Sequence, residues 1–430
     1  MKLLGGRGVT AVLTLAATAL TARALVPADF GIVIIIHSFL LLMKGLIKLN
    51  SFDAIIRFGV PEHEAGNTNR LGQLIRMTFV LDSVVALLGT LVAVLICPLI
   101  GPHIGWDAQV THMATLYSLL LCSSLTGSAN GVLRLFDRFD ILVRASLIDR
   151  LLRLVGVTIF WSLGSHDIVV FLAAYGVSWL TANLYILHAG WKEHRRHLPE
   201  ERLLKGDIWQ QHTKRFPGIW RFLNVVYWQS NLDLIPKHIS VLLAGFFLGP
   251  TMAGMYHLAF GFSKSLSAPG LLLRKVLLGD LTRLWHRRDP TFTGLLFRSL
   301  ATAAGLGLCI AALVWAFAVP LLTLLAGPEY SAAAPALSWL ILAAGLDLGT
   351  APLRAAAYAM DKAHKVLKIH ALALIAFVIA FPLLTPALGL AGAGMASAVT
   401  SLVTLIAMIL LVKRQLKDTL PFSAEHPSNS

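Results

Sequence analysis

Two histidine–lysine pairs lie inside apolar segments and share the same internal spacing. Lys44 follows His37 by seven positions, and Lys264 follows His257 by seven positions. Seven residues make about two turns of an α-helix, so the members of each pair lie on one helix face. A charged side chain within an apolar membrane segment is costly to bury and marks a functional site by default. Both lysines are therefore candidates for contacts with an anionic group.

The same residues recur at a fixed offset along the chain. Lys264 lies 220 positions beyond Lys44, and Arg354 lies 220 positions beyond Arg134. Repeat-related cations facing one cleft predict a binding site for an anion, and the predicted site comprises Lys44, Lys264, Arg134, Arg354, His37 and His257. The alternative is that Lys44 extends its amine to the nearby interface and that both arginines are interfacial residues.

A second group of residues could couple or gate movement. Asp233 and Lys237 are four positions apart and can pair on a helix face, while Pro236 between them invites a kink. The alternative is a plain ion pair at a bend. Asp82 and Asp347 are isolated acids in apolar segments; either could carry a proton, with polar packing between helices as the alternative role.

The elements that must position these residues are apolar helices. Hydrophobic residues make up 57% of the 430 residues and charged residues 13%, whereas soluble domains have about 45–50% and about 25%. Spans of about 20 residues are helices, since they are twice as long as a barrel strand. The predicted spans are 8–24, 30–50, 76–100, 110–133, 150–165, 168–190, 219–245, 252–273, 297–325, 333–356, 367–386 and 388–412.

The basic residues are distributed unequally between the two sides of these spans. The net charge of +14 would suggest nucleic acid as a partner in a soluble protein. Here, all but four of the 36 Lys and Arg fall on the side of the N-terminus when the spans alternate. By the positive-inside rule both termini are cytoplasmic, and no nucleic-acid partner is expected.

The two halves of the chain repeat weakly. Residues 27–31 read Pro-Ala-Asp-Phe-Gly, and residues 250–254, which lie 223 positions later, read Pro-Thr-Met-Ala-Gly. The predicted fold class is an all-α polytopic membrane protein with about twelve transmembrane helices in two pseudo-repeated six-helix lobes. The predicted domains are an N-terminal lobe at 1–190, a cytoplasmic linker at 191–218, a C-terminal lobe at 219–412 and a cytoplasmic tail at 413–430.

Several short runs of residues resemble polysaccharide flippases of the Wzx type. The opening of that family is similar to residues 22–31 (Ala-Arg-Ala-Leu-Val-Pro-Ala-Asp-Phe-Gly) and 53–58 (Asp-Ala-Ile-Ile-Arg-Phe) of this chain. Three later runs also fit, namely 248–259, 325–337 and 389–396. Each run alone is degenerate, and their order and spacing along nearly the whole chain carry the resemblance.

The resemblance implies a transporter of the bacterial inner membrane. Members of the family turn a polyprenyl-pyrophosphate-linked oligosaccharide across that membrane, and their fold is shared with multidrug exporters and the lipid II flippase. The implied partners are this lipid-linked substrate, membrane lipid and other polysaccharide-assembly proteins. One position departs from the pattern: Ser240 stands where related transporters often carry an acid, about ten residues before the second-half Gly-Pro.

A pyrophosphate-linked substrate requires a wet, cationic cleft, because its charge cannot enter hydrocarbon unaided. The sequence contains no Walker motif and no glycine-rich nucleotide loop, so neither a cofactor nor enzymatic activity is expected. A multidrug exporter of the same fold is one alternative, and it predicts an acidic, aromatic cleft. A membrane-embedded glycan polymerase or ligase is the other, and it predicts large outer loops rich in Arg and His.

Overall fold

The computed structural model describes residues 2–104, 106–198 and 216–419. Within these ranges the chain is helical and contains no strand. This confirms the predicted all-α class. Side chains at the outer face of several helices are large and apolar; on α4 (Thr68–Ile100), for example, Leu87, Leu91 and Leu95 are more than half exposed. Such a face is suited to lipid.

The first half of the chain forms nine of the described α-helices. Short 3₁₀ turns at Gly101–Ile104 and Leu119–Ser124 interrupt the series. The helices are α1 Lys2–Ala24, α2 Pro27–Ile47, α3 Ser51–Glu64, α4 Thr68–Ile100, α5 Ala108–Ser118, α6 Thr126–Leu135, α7 Phe139–Ser162, α8 Ile168–His197 and α9 Ile219–Leu248.

The second half has fewer and longer helices. They are α10 Pro250–His286, α11 Thr291–Ala326, α12 Ala334–Ala359 and α13 Ala363–Thr419, with a 3₁₀ turn at Pro328–Ala333 before α12. A residue with φ of 60°, Gly389, breaks α13 internally. Only glycine adopts such a conformation without strain, so this break separates the last two predicted spans.

Seven helical stretches of the described chain have the length and apolar composition needed to cross a membrane, and two shorter apolar stretches, Gly8–Ala24 and His238–Leu248, accompany them. Each of the twelve predicted spans falls on a helix. The fourth is interrupted by the turn at Leu119–Ser124, and the last two share α13. The prediction of a polytopic helical membrane fold is confirmed.

The chain divides into two compact units, Met1–Gly254 and Met255–Ser430. The first unit includes α9, which packs along α2; the Tyr227 hydroxyl on α9 donates to the Leu46 carbonyl at 2.9 Å. The boundaries predicted from sequence, with a linker at 191–218, stay a prediction. Residues 199–215 of that linker and residues 420–430 of the predicted tail lie outside the described residues.

The repeated Pro-x-x-x-Gly motifs meet each other at the start of α2 and α10. Pro27 and Pro250 each occupy the first helical position, where a missing N–H is harmless. A Cβ on Gly31 would lie 1.9 Å from the Pro250 carbonyl oxygen, and a Cβ on Gly254 would lie 2.9 Å from the Gly31 Cα. The two backbones touch, and only glycine at both positions permits this approach.

Gly31→Ala is expected to destabilise the protein, because its methyl group would force the two helix ends apart. Overpacking of this kind costs about 1–3 kcal/mol or more. Gly305→Ala on α11 is the matched control, since nothing lies within 4 Å of a Cβ there and alanine favours the helix. Thermal unfolding of both variants in detergent measures the difference. Equal melting temperatures would contradict the close approach.

Candidate functional site

Lys44 of α2 lies against an aromatic side chain of α8. Its Nζ is 3.7 Å from the centre of the Trp179 ring. The imidazole of His37, two turns earlier, is 6.4 Å from the same indole and 5.1 Å from the Tyr175 ring. His37 Nδ1 also lies 3.1 Å from the Tyr117 hydroxyl. One face of α2 therefore presents both residues to α8, and the ammonium–indole contact is worth about 0.5–2 kcal/mol.

Helix α7 adds two arginines and a carboxylate beside this contact. Arg153 Nη2 lies 3.1 Å from Asp149 Oδ1, and Asp149 also pairs with Arg150. The Arg153 guanidinium carbon is 4.5 Å from the centre of the Tyr175 ring. Lys44 interacts electrostatically with both Asp149 and Arg150. The ion pairs of α7 and the Lys44 contact therefore belong to one charged region.

The end of α2 extends this region towards α6. Arg134 and Lys48 approach the same ring, that of Phe52, at 4.2 Å and 5.2 Å from its centre. Lys48 interacts electrostatically with Lys44 and with Arg134, and Asp53 interacts with Lys48 and Arg134. The cations of two neighbouring helices are thus gathered around one aromatic side chain.

We call this set the cationic cluster. Its members are Lys44, Lys48, Arg134, Arg150, Arg153, Asp53, Asp82 and Asp149. Five basic side chains face three carboxyl groups, which gives a formal excess of two positive charges. Like charges gathered away from water repel one another strongly, so the cluster favours a bound anion.

Unused hydrogen-bond donors point to the same conclusion. The buried Nε atoms of Arg134, Arg150 and Arg153 and the Ser124 hydroxyl have no hydrogen-bond partner among the described residues. Ser124 also lines a cavity of about 20 Å³ together with Lys44, Lys48, Asp82 and Gly127. A cavity of this size holds an ordered water. Buried donors without partners are rare and call for an explanation. An anionic ligand would supply the missing acceptors.

The residues predicted in the second half have a different setting. Lys264 on α10 is exposed, and its Nζ lies 6.0 Å from the centre of the Phe260 ring. His257 and Arg354 are partly buried. The structure therefore gives His37, Lys44 and Arg134 aromatic partners within the first unit.

The predicted coupling residues are described only in part. Asp347 on α12 is exposed. Asp233 and Lys237 lie on α9, and their side chains are outside the described residues. No group of His, Cys, Asp and Glu in the described part of the chain has the arrangement of a metal site. The coupling role of these residues stays a prediction.

The partners of Lys44 are not repeated in the second half. The positions 220 residues beyond Asp149, Arg153 and Trp179 hold apolar residues, namely Ile369, Ala373 and Val399. The repeat thus preserves the two lysines but not the charges and the indole around the first of them. The cationic cluster is a property of the first unit.

Several members of the cluster are not apparent from sequence. Arg150 and Arg153 count among the basic residues of the inner side, and Lys48 lies at the end of an apolar run. The spacing of Asp149 and Arg153, four positions apart on one helix, is a readable signal for an ion pair. No local signal connects Trp179 with Lys44, because 135 residues separate them.

Comparison with known proteins finds sequence matches over most of the chain. Residues 20–335 match the model of a family described as "Polysaccharide biosynthesis protein". The inner membrane protein YghQ of Escherichia coli (strain K12) is 25% identical over 327 residues, which cover 75% of this chain and 90% of YghQ.

Solved structures with a similar fold are transporters. The lipid II flippase MurJ in an inward closed conformation superposes with a TM-score of 0.72 at 12% identity, covering 96% of this chain and 88% of MurJ. A multidrug resistance MATE family transporter of the MOP superfamily, in an inward-facing conformation, gives a TM-score of 0.67 at 18% identity, covering 98% and 96% of the two chains. At these identities the likeness shows the fold.

Asp149→Ala is expected to destabilise the protein, because it leaves two adjacent guanidinium groups without their carboxylate. Arg153 and Asp149 are only 10% and 14% exposed. Breaking such a pair costs about 2–3 kcal/mol, less than the loss of a fully buried pair.

Asp140→Ala is the matched control on the same helix. Asp140 pairs with Arg138 and Arg144 but is 45% exposed, and exposed pairs contribute little. Unfolding in detergent should show a large loss of stability for Asp149→Ala and no measurable loss for Asp140→Ala. Equal losses for both variants would contradict the buried network.

Proposed function

The chain belongs to the polysaccharide biosynthesis protein family, and on that premise we propose that it is a flippase. Its substrate is a polyprenyl-pyrophosphate-linked oligosaccharide, which it moves across the bacterial inner membrane by alternating access. The transporter fold shared with MurJ and a MATE exporter supports movement of a substrate in place of catalysis. The inner-membrane relative supports the location.

The observation that carries this proposal is the charge of the cationic cluster. A pyrophosphate that links a lipid to a sugar carries one negative charge on each phosphate, as phosphodiesters do. The two positive charges in excess in the cluster match it. Lys44 and Lys48 supply compact point charges, while Arg134 supplies a planar donor fork that suits phosphate oxygens. A multidrug exporter would instead require an acidic site.

The second unit supplies the remaining proposed roles. Lys264, Arg354 and His257 contact the sugar or the second phosphate. Asp233, Lys237 and Asp347 take part in gating or in coupling to an ion. Other polysaccharide-assembly proteins supply the substrate and remove the product.

Purified protein in liposomes is expected to flip a polyprenyl-pyrophosphate-linked oligosaccharide labelled on its sugar. Since the sequence has no nucleotide-binding loop, flipping should proceed without ATP. Quenching of the label by an impermeant reagent measures the fraction moved. A strict requirement for ATP, or transport of cationic drugs in place of this lipid, would contradict the proposal.

Lys44→Gln should weaken binding of the pyrophosphate in the same preparation. The loss of a charge-assisted contact costs about 1.5–3 kcal/mol, which is about a tenfold to hundredfold loss of affinity. Lys44→Arg should retain much of it. Lys192→Gln is the matched control, because Lys192 is exposed near the end of α8 and lies outside the cluster. Unchanged affinity in Lys44→Gln would remove the cluster from the binding site.

The distribution of basic residues predicts the orientation, with both termini in the cytoplasm. Reporter fusions after Ala28 and His103 should report outside, and fusions after Lys205 and Leu420 should report inside. The paired reporters alkaline phosphatase and green fluorescent protein give opposite signals and control for expression. A periplasmic signal at Lys205 or Leu420 would overturn this orientation.

A further inference from the structure

One carboxylate ties three helices of the first unit together beside the cationic cluster. Asp82 on α4 accepts hydrogen bonds at Oδ2 from the backbone N and the hydroxyl of Ser128 on α6, both at 2.6 Å. Its Oδ1 accepts from the hydroxyl of Ser51 on α3. Both serines are buried, at 1% and 0% exposure. The carboxylate is therefore fully used within the protein.

Ser51 lies at the bend that carries the two lysines of the cluster. Helix α2 ends where the Lys48 backbone N–H donates to the Lys44 carbonyl at 3.1 Å. Asn50 then adopts a left-handed conformation with φ of 52°, and α3 begins at Ser51. Asparagine is one of the few non-glycine residues that adopt this conformation readily, and the direction of the chain after the bend is set by restraints on the flanking residues. The bond from Ser51 to Asp82 is one such restraint.

The start of α6 is shaped to admit this carboxylate. A Cβ on Gly127 would lie 2.6 Å from Asp82 Oδ2, so glycine leaves the space that the carboxylate occupies. The three helices are also joined by an apolar cluster that includes Ile55, Leu71 and Val132. Apolar contacts therefore already hold the three helices together. The hydrogen bonds of Asp82 have a more specific effect, which is to fix the bend at Ser51.

The negative charge of Asp82 is unfavourable for binding a second anion beside the two lysines. Asp82 interacts electrostatically with Lys48 and lines the same small cavity as Lys44. A negative charge here repels the phosphate that the cluster is proposed to bind. The hydrogen bonds of Asp82, which hold the bend next to the lysines, give this carboxylate a role that its charge does not.

We propose that Asp82 is a positioning residue, which fixes the bend between α2 and α3 through Ser51 and Ser128 so that Lys44 and Lys48 face the pyrophosphate. This inference rests on the proposed function. Asp82 does not touch the substrate; it acts through the two lysines. The hydrogen bonds of Asp82 are expected to raise the affinity for the pyrophosphate, whereas its negative charge is expected to lower it. The two effects can therefore be measured separately.

Two substitutions of Asp82 distinguish the effect of the hydrogen bonds from the effect of the charge. Asp82→Ala removes both the hydrogen bonds and the charge, and it should weaken binding about fivefold to tenfold. Asp82→Asn keeps an acceptor for Ser128 and a polar contact with Ser51 while removing the charge, so its affinity should equal or exceed that of the wild type. The measurement is calorimetric binding of farnesyl pyrophosphate to the full-length protein in nanodiscs, at matched folded fraction.

The opposite order would overturn the proposal. If Asp82 acted through charge alone, Asp82→Ala would bind the pyrophosphate more tightly than the wild type. If Asp82→Asn lost as much affinity as Asp82→Ala, the hydrogen bonds would not be the cause. Should Asp82→Ala fail to fold, Ser128→Ala removes one of the three contacts and should weaken binding in the same direction; unchanged affinity there also overturns the proposal.

Two further variants complete the experiment. Asp107→Ala removes an acid whose carboxylate accepts from the Val110 N–H at the start of α5, and it should leave the affinity unchanged. A loss there equal to that of Asp82→Ala would count against a role specific to Asp82. Lys44→Gln distinguishes failure of the positioning role of Asp82 from failure of the proposed function. Loss of binding in Lys44→Gln with normal binding in Asp82→Ala overturns the positioning role alone, whereas normal binding in Lys44→Gln overturns the proposed function.

Discussion

The energetic cost of holding cations within an apolar helical protein governs the arrangement of the first unit. A desolvated ammonium or guanidinium group requires a compensating partner. Lys44 lies on Trp179, Arg134 lies on Phe52, and Arg153 combines the Tyr175 ring with an ion pair. Helices α3, α7 and α8 supply these partners.

The contrast between the two halves follows from the kind of constraint at each position. Gly31 and Gly254 are both glycine because the two helix backbones touch there, and neither position has room for a Cβ. Lys44 and Lys264 are also both present, but the positions 220 residues beyond Asp149, Arg153 and Trp179 hold apolar residues. The close approach of two backbones therefore preserves one part of the repeat, while the partners of Lys44 belong to the first unit.

Features that are set within one segment can be predicted from the sequence, whereas contacts between distant segments cannot. The spans follow from local apolar runs, and the shared face of His37 and Lys44 follows from the helical period, so both are predictable from single segments. Trp179 is not, because α8 reaches Lys44 only through tertiary packing. The break at Gly389 lies close to the predicted boundary between the last two spans, and the left-handed Asn50 lies at the predicted end of the span 30–50.

The choice of partner for Lys44 bears directly on anion binding. A carboxylate in ion-pair contact would neutralise the ammonium group, and a phosphate would have to displace it against a strong attraction. The Trp179 ring stabilises the same charge more weakly and leaves its net value unchanged. The carboxylates of the cluster are instead engaged elsewhere, Asp149 by arginines and Asp82 by serines. Lys44 is thus held by a ring and not by a carboxylate in ion-pair contact, which leaves its amine accessible to an anionic substrate.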